Sequence, residues 1–175
     1  MSHADHPARA RDLLAALDAY RPARQSFLAV LGLPASNRDP FAEFSEQLAH
    51  ALMGGTLATS RVQVGHDLVL VDGKQVQVRY LANPSAIWVN EHLVHSITDV
   101  DLYVLVLFEA FTVTGVLVFP LDDLGDICHA LGKRHPRQDE TLQFTRRNFW
   151  AIRNDPDRYR GLGMRIWLPP LTPEC

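Results

Sequence analysis

The residues best placed to do chemistry lie between His66 and Tyr80, in the segment HDLVLVDGKQVQVRY. Asp67 stands near the start of one strand-like run, and Asp72-Gly73-Lys74 is a tight-turn signal. Along the second run side chains alternate, so Gln77 and Arg79 share one face while Val76 and Val78 share the other. A hairpin folded about that turn carries a carboxylate toward a carboxamide and a guanidinium. Such a trio suits Mg²⁺-dependent phosphodiester cleavage. Oxygen ligands hold the metal, and the cation meets the charge that builds on the phosphate. Mg²⁺ takes a few carboxylates and completes its shell with carbonyls and water. Asp67 can therefore act with the Gln77 side-chain carbonyl or the Val78 backbone carbonyl. Glu46, on a preceding helix, joins them if that helix packs across the sheet. An ordinary surface hairpin has the same pattern.

The elements that must position these residues are legible in outline. Leu13, Leu14, Leu17 and Tyr20, then Phe27, Leu28 and Leu31, predict two short helices split at Arg21-Pro22. Asp39-Pro40 opens a helix whose apolar stripe is Phe41, Phe44, Leu48, Ala51 and Leu52, and Gly54-Gly55 ends it. Val62, Val64 and Leu68 to Val71 predict a first strand, and Gln75 to Leu81 a second. Asn83 to Ile97 reads as an irregular connection with Trp88 buried in it. Leu102 to Phe108 is a continuous apolar run that suits a central strand covered on both faces. Further expectations are a strand at Val116–Phe119, a helix at Leu121–Leu131 and a short strand at Leu142–Phe144. A helix capped by Thr145, a last turn from Pro156 to Tyr159 and a strand at Gly163–Leu168 complete the chain. The order predicts an α/β fold, a mixed central sheet flanked by helices. The 175 residues read as a single domain, with residues 1–36 as an N-terminal helical appendage and 37–170 as the core.

Composition narrows the class. Hydrophobic residues at 47% and charged residues at 21% are ordinary for a soluble globular chain. No apolar run approaches the roughly 18 residues that span a bilayer, and the N-terminus lacks the apolar core of a signal peptide. A cytoplasmic protein is the expectation. The two cysteines, Cys128 and Cys175, predict neither a disulfide nor a zinc site. His92 and His95 have no third ligand at zinc spacing, and His66 reads as a hydrogen-bonding rim residue. The net charge of −3 is unevenly spread. From Lys133 to Arg165 there are nine Lys and Arg against four Asp and Glu, and elsewhere eight against sixteen. Lys133, Arg134 and Arg137, with Arg146, Arg147 and Asn148 at a helix start, are the candidate DNA-backbone surface. A solvated helix start has the same composition.

Taken together, the helix ending AEFSEQLAHALMGG, the strand GHDLVLVDG and the strand QVQVRY resemble the PD-(D/E)xK nuclease superfamily. That is the restriction-endonuclease-like fold, here in the variant with Gln in place of the second acid. The resemblance covers roughly Asp39 to Phe119. It implies that Asp67 binds metal, that Gln77 is the second ligand and that Arg79 is the cation. Glu46 is the implied helix carboxylate, with Glu43 as second choice. It implies Mg²⁺ or Mn²⁺ as cofactor and DNA as substrate, in an endonuclease of restriction or defence type, and a homodimer is compatible with it. Two positions depart from the family pattern. Gln77 is neutral, and Arg79 stands where the family usually has lysine; arginine stays charged and cannot act as a base. A weak nuclease, an inactive DNA-binding module and a protein-interaction module on the same fold all remain compatible with the sequence.

Overall fold

Apolar alternation and turn residues between Thr56 and Trp167 build a six-stranded mixed sheet in the computed structural model, which describes residues 6–33, 40–58, 65–132 and 141–170. Helices and a mixed sheet together give the expected α/β class. It separates into two compact units, Met1–Phe44 and Ser45–Cys175.

The first unit holds helix α1, His6–Val30, and the start of α2, Pro40–Met53. The expected break at Arg21-Pro22 does not occur: α1 is continuous, with Pro22 inside it. An internal proline removes one backbone donor and costs about 3 kcal/mol. The alanines and leucines before it favour the helix, and Arg21 pairs with Asp18 at 2.6 Å one turn earlier. Phe27 meets Phe44 with ring centroids 5.7 Å apart. Pro40 occupies the first position of α2 as expected, and Gly54 closes it at φ +73°, its N–H donating to His50 O at 2.8 Å. Asp39, the expected cap, lies outside the described residues.

In the second unit, strands β1 (Thr56–Leu57), β2 (Leu68–Val69) and β3 (Gln75–Asn83) form an antiparallel run. After them come β4 (His92–His95), β5 (Leu102–Glu109) and β6 (Thr112–Pro120). The chain then continues through α3 (Leu124–Ala130), β7 (Thr141–Phe144), α4 (Arg146–Asn154), α5 (Pro156–Arg160) and β8 (Arg165–Trp167). Sheet order is β1-β2-β3-β5-β6-β8, with β4 and β7 paired apart as a two-stranded sheet. Only the β3–β5 pairing is parallel among the described strands. Several expectations need correction. The first long strand shrinks to Leu68–Val69, because Leu70 already opens the turn: Gly73 N–H donates to Leu70 O at 2.9 Å and Gly73 sits at φ +88°. Val62 and Val64 lie outside the described residues. The connection expected to be irregular contains β4, and β1 was not anticipated.

Both faces of the central strands are buried, as the apolar run Leu102–Phe108 requires. On one face Leu81, Tyr103, Leu105, Leu107, Leu117 and Phe119 join Val94 of β4, Leu142 and Phe144 of β7, Ile127 of α3, and Phe149 and Ile152 of α4 in one core. On the other, Val76, Val78, Val104, Val106, Val116 and Val118 are buried as well. Gly115 lets α4 approach, since a Cβ there would stand 3.2 Å from the Phe149 ring.

The end of α2 sets β1 against β2 through a close contact at Gly55. A Cβ there would lie 2.3 Å from Val69 O, and the residue has φ +91°; neighbouring Gly54, at φ +73°, faces open space. Gly54→Ala is expected to cost about 1 kcal/mol from backbone strain alone. Gly55→Ala should cost several times more, because the Val69 carbonyl must also move. Urea denaturation of the two variants measures the difference, and equal midpoints would show that this contact constrains nothing.

Candidate functional site

Asp67 lies one residue before β2, and its backbone is fixed into the hairpin on both sides. Its N–H donates to Val76 O at 2.8 Å, and its carbonyl accepts from Ala58 N at 3.0 Å. Its side chain therefore points across the neighbouring strand. One oxygen, Oδ2, receives three donors from β3: the Gln77 carboxamide, the Val78 backbone N–H at 2.8 Å, and Arg79 Nη1 at 3.2 Å. Arg79 Nη1 also donates to Val78 O at 2.7 Å, which holds the guanidinium over the hairpin. Gln77 is only 5% exposed. The Asp67 side chain is 13% exposed and that of Arg79 49%, so the cluster runs from the sheet interior to solvent. The sequence-predicted trio thus converges on one carboxylate, on the face that period-two alternation assigned.

Glu46 is buried on α2, beside the buried Ser45 and Glu43. Among the described residues no group of three or more His, Cys, Asp and Glu side chains is placed to hold a metal ion. The oxygens near Asp67 are its own Oδ1, which accepts no hydrogen bond from the described residues, and the Val78 carbonyl, which already accepts from Arg79 Nη1. Gln77 presents its nitrogen to Asp67, so its carbonyl becomes a ligand only after the amide turns over. Oxygens are the ligand type that Mg²⁺ takes, with water completing its shell, and not the thiolate and imidazole of structural zinc sites.

Two further groups belong to the cluster. Tyr103 stands opposite Gln77 in the β3–β5 register, on the same face. His92 Nε2 lies 2.7 Å from the Tyr103 hydroxyl, and the His92 and His95 rings lie 5.9 and 6.2 Å from the Tyr103 ring. Burial, helped by the Arg79 and His95 charges, pulls the His92 pKa below its ordinary value. Burial pushes Tyr103 up to about 12, with Arg79 opposing and Asp67 adding to the rise. Both shifts favour a neutral pair in which the Tyr103 hydroxyl donates to His92 Nε2. Sequence reasoning missed Tyr103 because it sits in the apolar run YVLVLF, and only the parallel register reveals its neighbour.

His66 lies apart from this cluster, lining an open pocket of about 550 Å³ bounded by Gly55–Ala58 and Val69–Val71. Trp88 is half-buried, donates to Glu109 and stacks on Phe149 at 5.7 Å. In the candidate DNA surface, Lys133, Arg134 and Arg137 lie outside the described residues, and Arg146 and Arg147 are exposed in the first turn of α4. Asn148 needs correction. It is buried, and its Oδ1 accepts from Thr145 N at 2.9 Å and from Thr145 Oγ1 at 2.8 Å. Capping the helix start takes the amide away from the surface.

No family model matches the chain, and no curated protein does. No helix among the described residues is long and apolar enough to cross a membrane. The site stands on its geometry.

The neutral His92–Tyr103 pair makes stability depend on pH at both ends. The unfolded chain protonates its histidine near 6.5 while folded His92 resists. Its contribution is therefore present above pH 6.5 and lost as pH falls from there through the lower folded value. Unfolded tyrosine ionises near 10 and folded Tyr103 near 12, so stability falls as pH rises between them. Urea midpoints across pH should show both slopes. His92→Gln should remove the acid component and Tyr103→Phe the alkaline one. Slopes unchanged in these variants would assign the pH dependence to other groups.

Proposed function

We propose that the chain is a metal-dependent endonuclease that hydrolyses DNA phosphodiester bonds, a restriction-type activity on a PD-(D/E)xK-like core. The observation that carries this reading is the meeting of Asp67, Gln77 and Arg79 at one carboxylate oxygen on the β2–β3 hairpin, open to solvent through Arg79. Asp67 and the Val78 carbonyl, with Gln77 after its amide turns and Glu46 from α2, are the oxygens that would hold Mg²⁺ or Mn²⁺. Bound there, the ion supplies Lewis-acid polarisation of the phosphate and a more acidic water. Arg79 offers a fork of donors to the phosphate oxygens. That fixes the scissile group and meets the charge it develops. Tyr103, buried and bonded to His92, stands beside Gln77 at the inner end of the cluster.

One observation favours a second reading, a DNA-binding module without chemistry. Oδ2 of Asp67 is already satisfied by three donors, one of them a guanidinium that stands where a lysine would be more usual. That module would bind DNA with a strong salt dependence and cut nothing.

Plasmid nicking with Mg²⁺ and Mn²⁺ tests the proposal. Wild type is expected to convert supercoiled DNA to open circles, and Asp67→Ala to lose about 100-fold or more of that rate, the scale of a removed site group. Equal nicking by the variant would exclude this centre. No nicking by wild type with either metal, together with salt-sensitive DNA affinity, would leave the binding module.

A further inference from the structure

Helix α4, sequence RRNFWAIRN, contains three arginines and no acid. Arg146, Trp150 and Arg153 are spaced i, i+4 and i+7 and share one face of the helix. The Arg146 guanidinium lies 5.7 Å from the centre of the Trp150 ring and that of Arg153 5.1 Å from it. Arg153 also lies 6.0 Å from the Phe149 ring. Trp150 is 39% exposed, so this stack is at the surface. Arg160, by contrast, holds Asp157 at 2.8 Å, and Arg158 donates to Ala130 O. Among the described residues, Arg146, Arg147 and Arg153 have no carboxylate partner.

Stacking on an indole orders a guanidinium plane at little cost and leaves its in-plane N–H fork free for an anion. Two such forks flank one ring, with Arg147 beside them. The stretch from Arg146 to Arg153 rises about 10 Å along the helix, the length of about three nucleotides of one strand. Phe149 and Ile152 seat α4 in the core cluster on the sheet face that also bears Gln77, Arg79 and Tyr103. The arginine stack and the Asp67 cluster therefore lie on the same side of the sheet.

We infer that Arg146, Trp150 and Arg153 form a backbone-gripping ladder for duplex DNA, with the two guanidinium forks on phosphates about three nucleotides apart and the indole as their spacer. Charge complementarity selects this occupant: arginines without carboxylate partners among the described residues, gathered at one indole, match a line of phosphates. Relative to the surface expected from sequence, the ladder keeps Arg146, drops Asn148, and adds Trp150 and Arg153. It rests on the DNA reading of the Asp67 site for its ligand but not on cleavage.

Fluorescence anisotropy with a labelled duplex, in EDTA so that nothing is cut, tests the ladder across a range of salt. The double variant Arg146→Glu/Arg153→Glu should weaken binding at least ten-fold. It should also lower the slope of log K against log salt by about 2, near 0.9 per lost phosphate contact. Trp150→Ala keeps both charges and should weaken binding about two- to five-fold with little change in slope. Unfolding midpoints near wild type show that the surface variants fold. If wild type binds and the double reversal binds equally well with the same slope, the ladder is wrong while the DNA reading stands. If wild type binds no duplex at low salt, both fall. If the ladder variants lose binding and wild type never nicks, the ladder stands and the nuclease does not.

Discussion

The parallel pairing of β3 with β5 is the constraint on which the rest of this structure depends. Eight consecutive residue pairs, from Val76–Leu102 to Asn83–Glu109, join the two strands. Parallel neighbours oblige the chain to travel back to the starting end between them. Here that return is made without a helix. Asn83 anchors it, accepting from the N–H groups of Val89 and Asn90, both at 2.9 Å, while the Asn90 amide donates to Ala82 O at 2.8 Å. The returning chain then forms β4, which brings His92 to Tyr103. Asp101 completes the start of β5, its carboxylate and backbone N–H both bonded to the Gln75 backbone.

That register places a polar group where an apolar one would be easier to bury. Gln77 enters the sheet beside Tyr103, and each would carry a desolvation cost if left unpaired. The cost is met in two directions. Asp67 takes the carboxamide, and His92 takes the phenol. The two small networks share the field of Arg79, which acts on His92 and Tyr103 and touches Asp67 directly. A buried polar network of this kind specifies one arrangement, because any slip of β3 by one residue turns Gln77 to the opposite face and Val78 into its place.

How much of this was legible in sequence follows the range of the interactions. The hairpin was readable because Asp72-Gly73 states its turn locally, and the period of two then assigns Gln77 and Arg79 to one face. The capped start of α4 was readable from Thr145, but a capping asparagine and a phosphate-binding one look alike in sequence, and only burial separates them. Pro22 misled because proline is a strong local breaker, and the flanking turns carried the helix through it. β4 was hidden because four residues, two of them histidine, give too short an alternation. Its partner, β7, lies far along the chain. Tyr103 was hidden by its apolar neighbours. The pairing of Arg146 and Arg153 with Trp150 is written in helical spacing, but it joins the helix start to its last turn and is not a feature of the start alone.

The margins of the sheet carry a consequence for assembly. Among the described residues, the strand at one margin, β1, is two residues long and the strand at the other, β8, is three. Such stubs offer few free backbone donors and acceptors in line, so strand-to-strand addition by another molecule gains little there. Further along β3, past the two residues paired with β2, the Asp67 carboxylate takes the Val78 N–H in place of a strand.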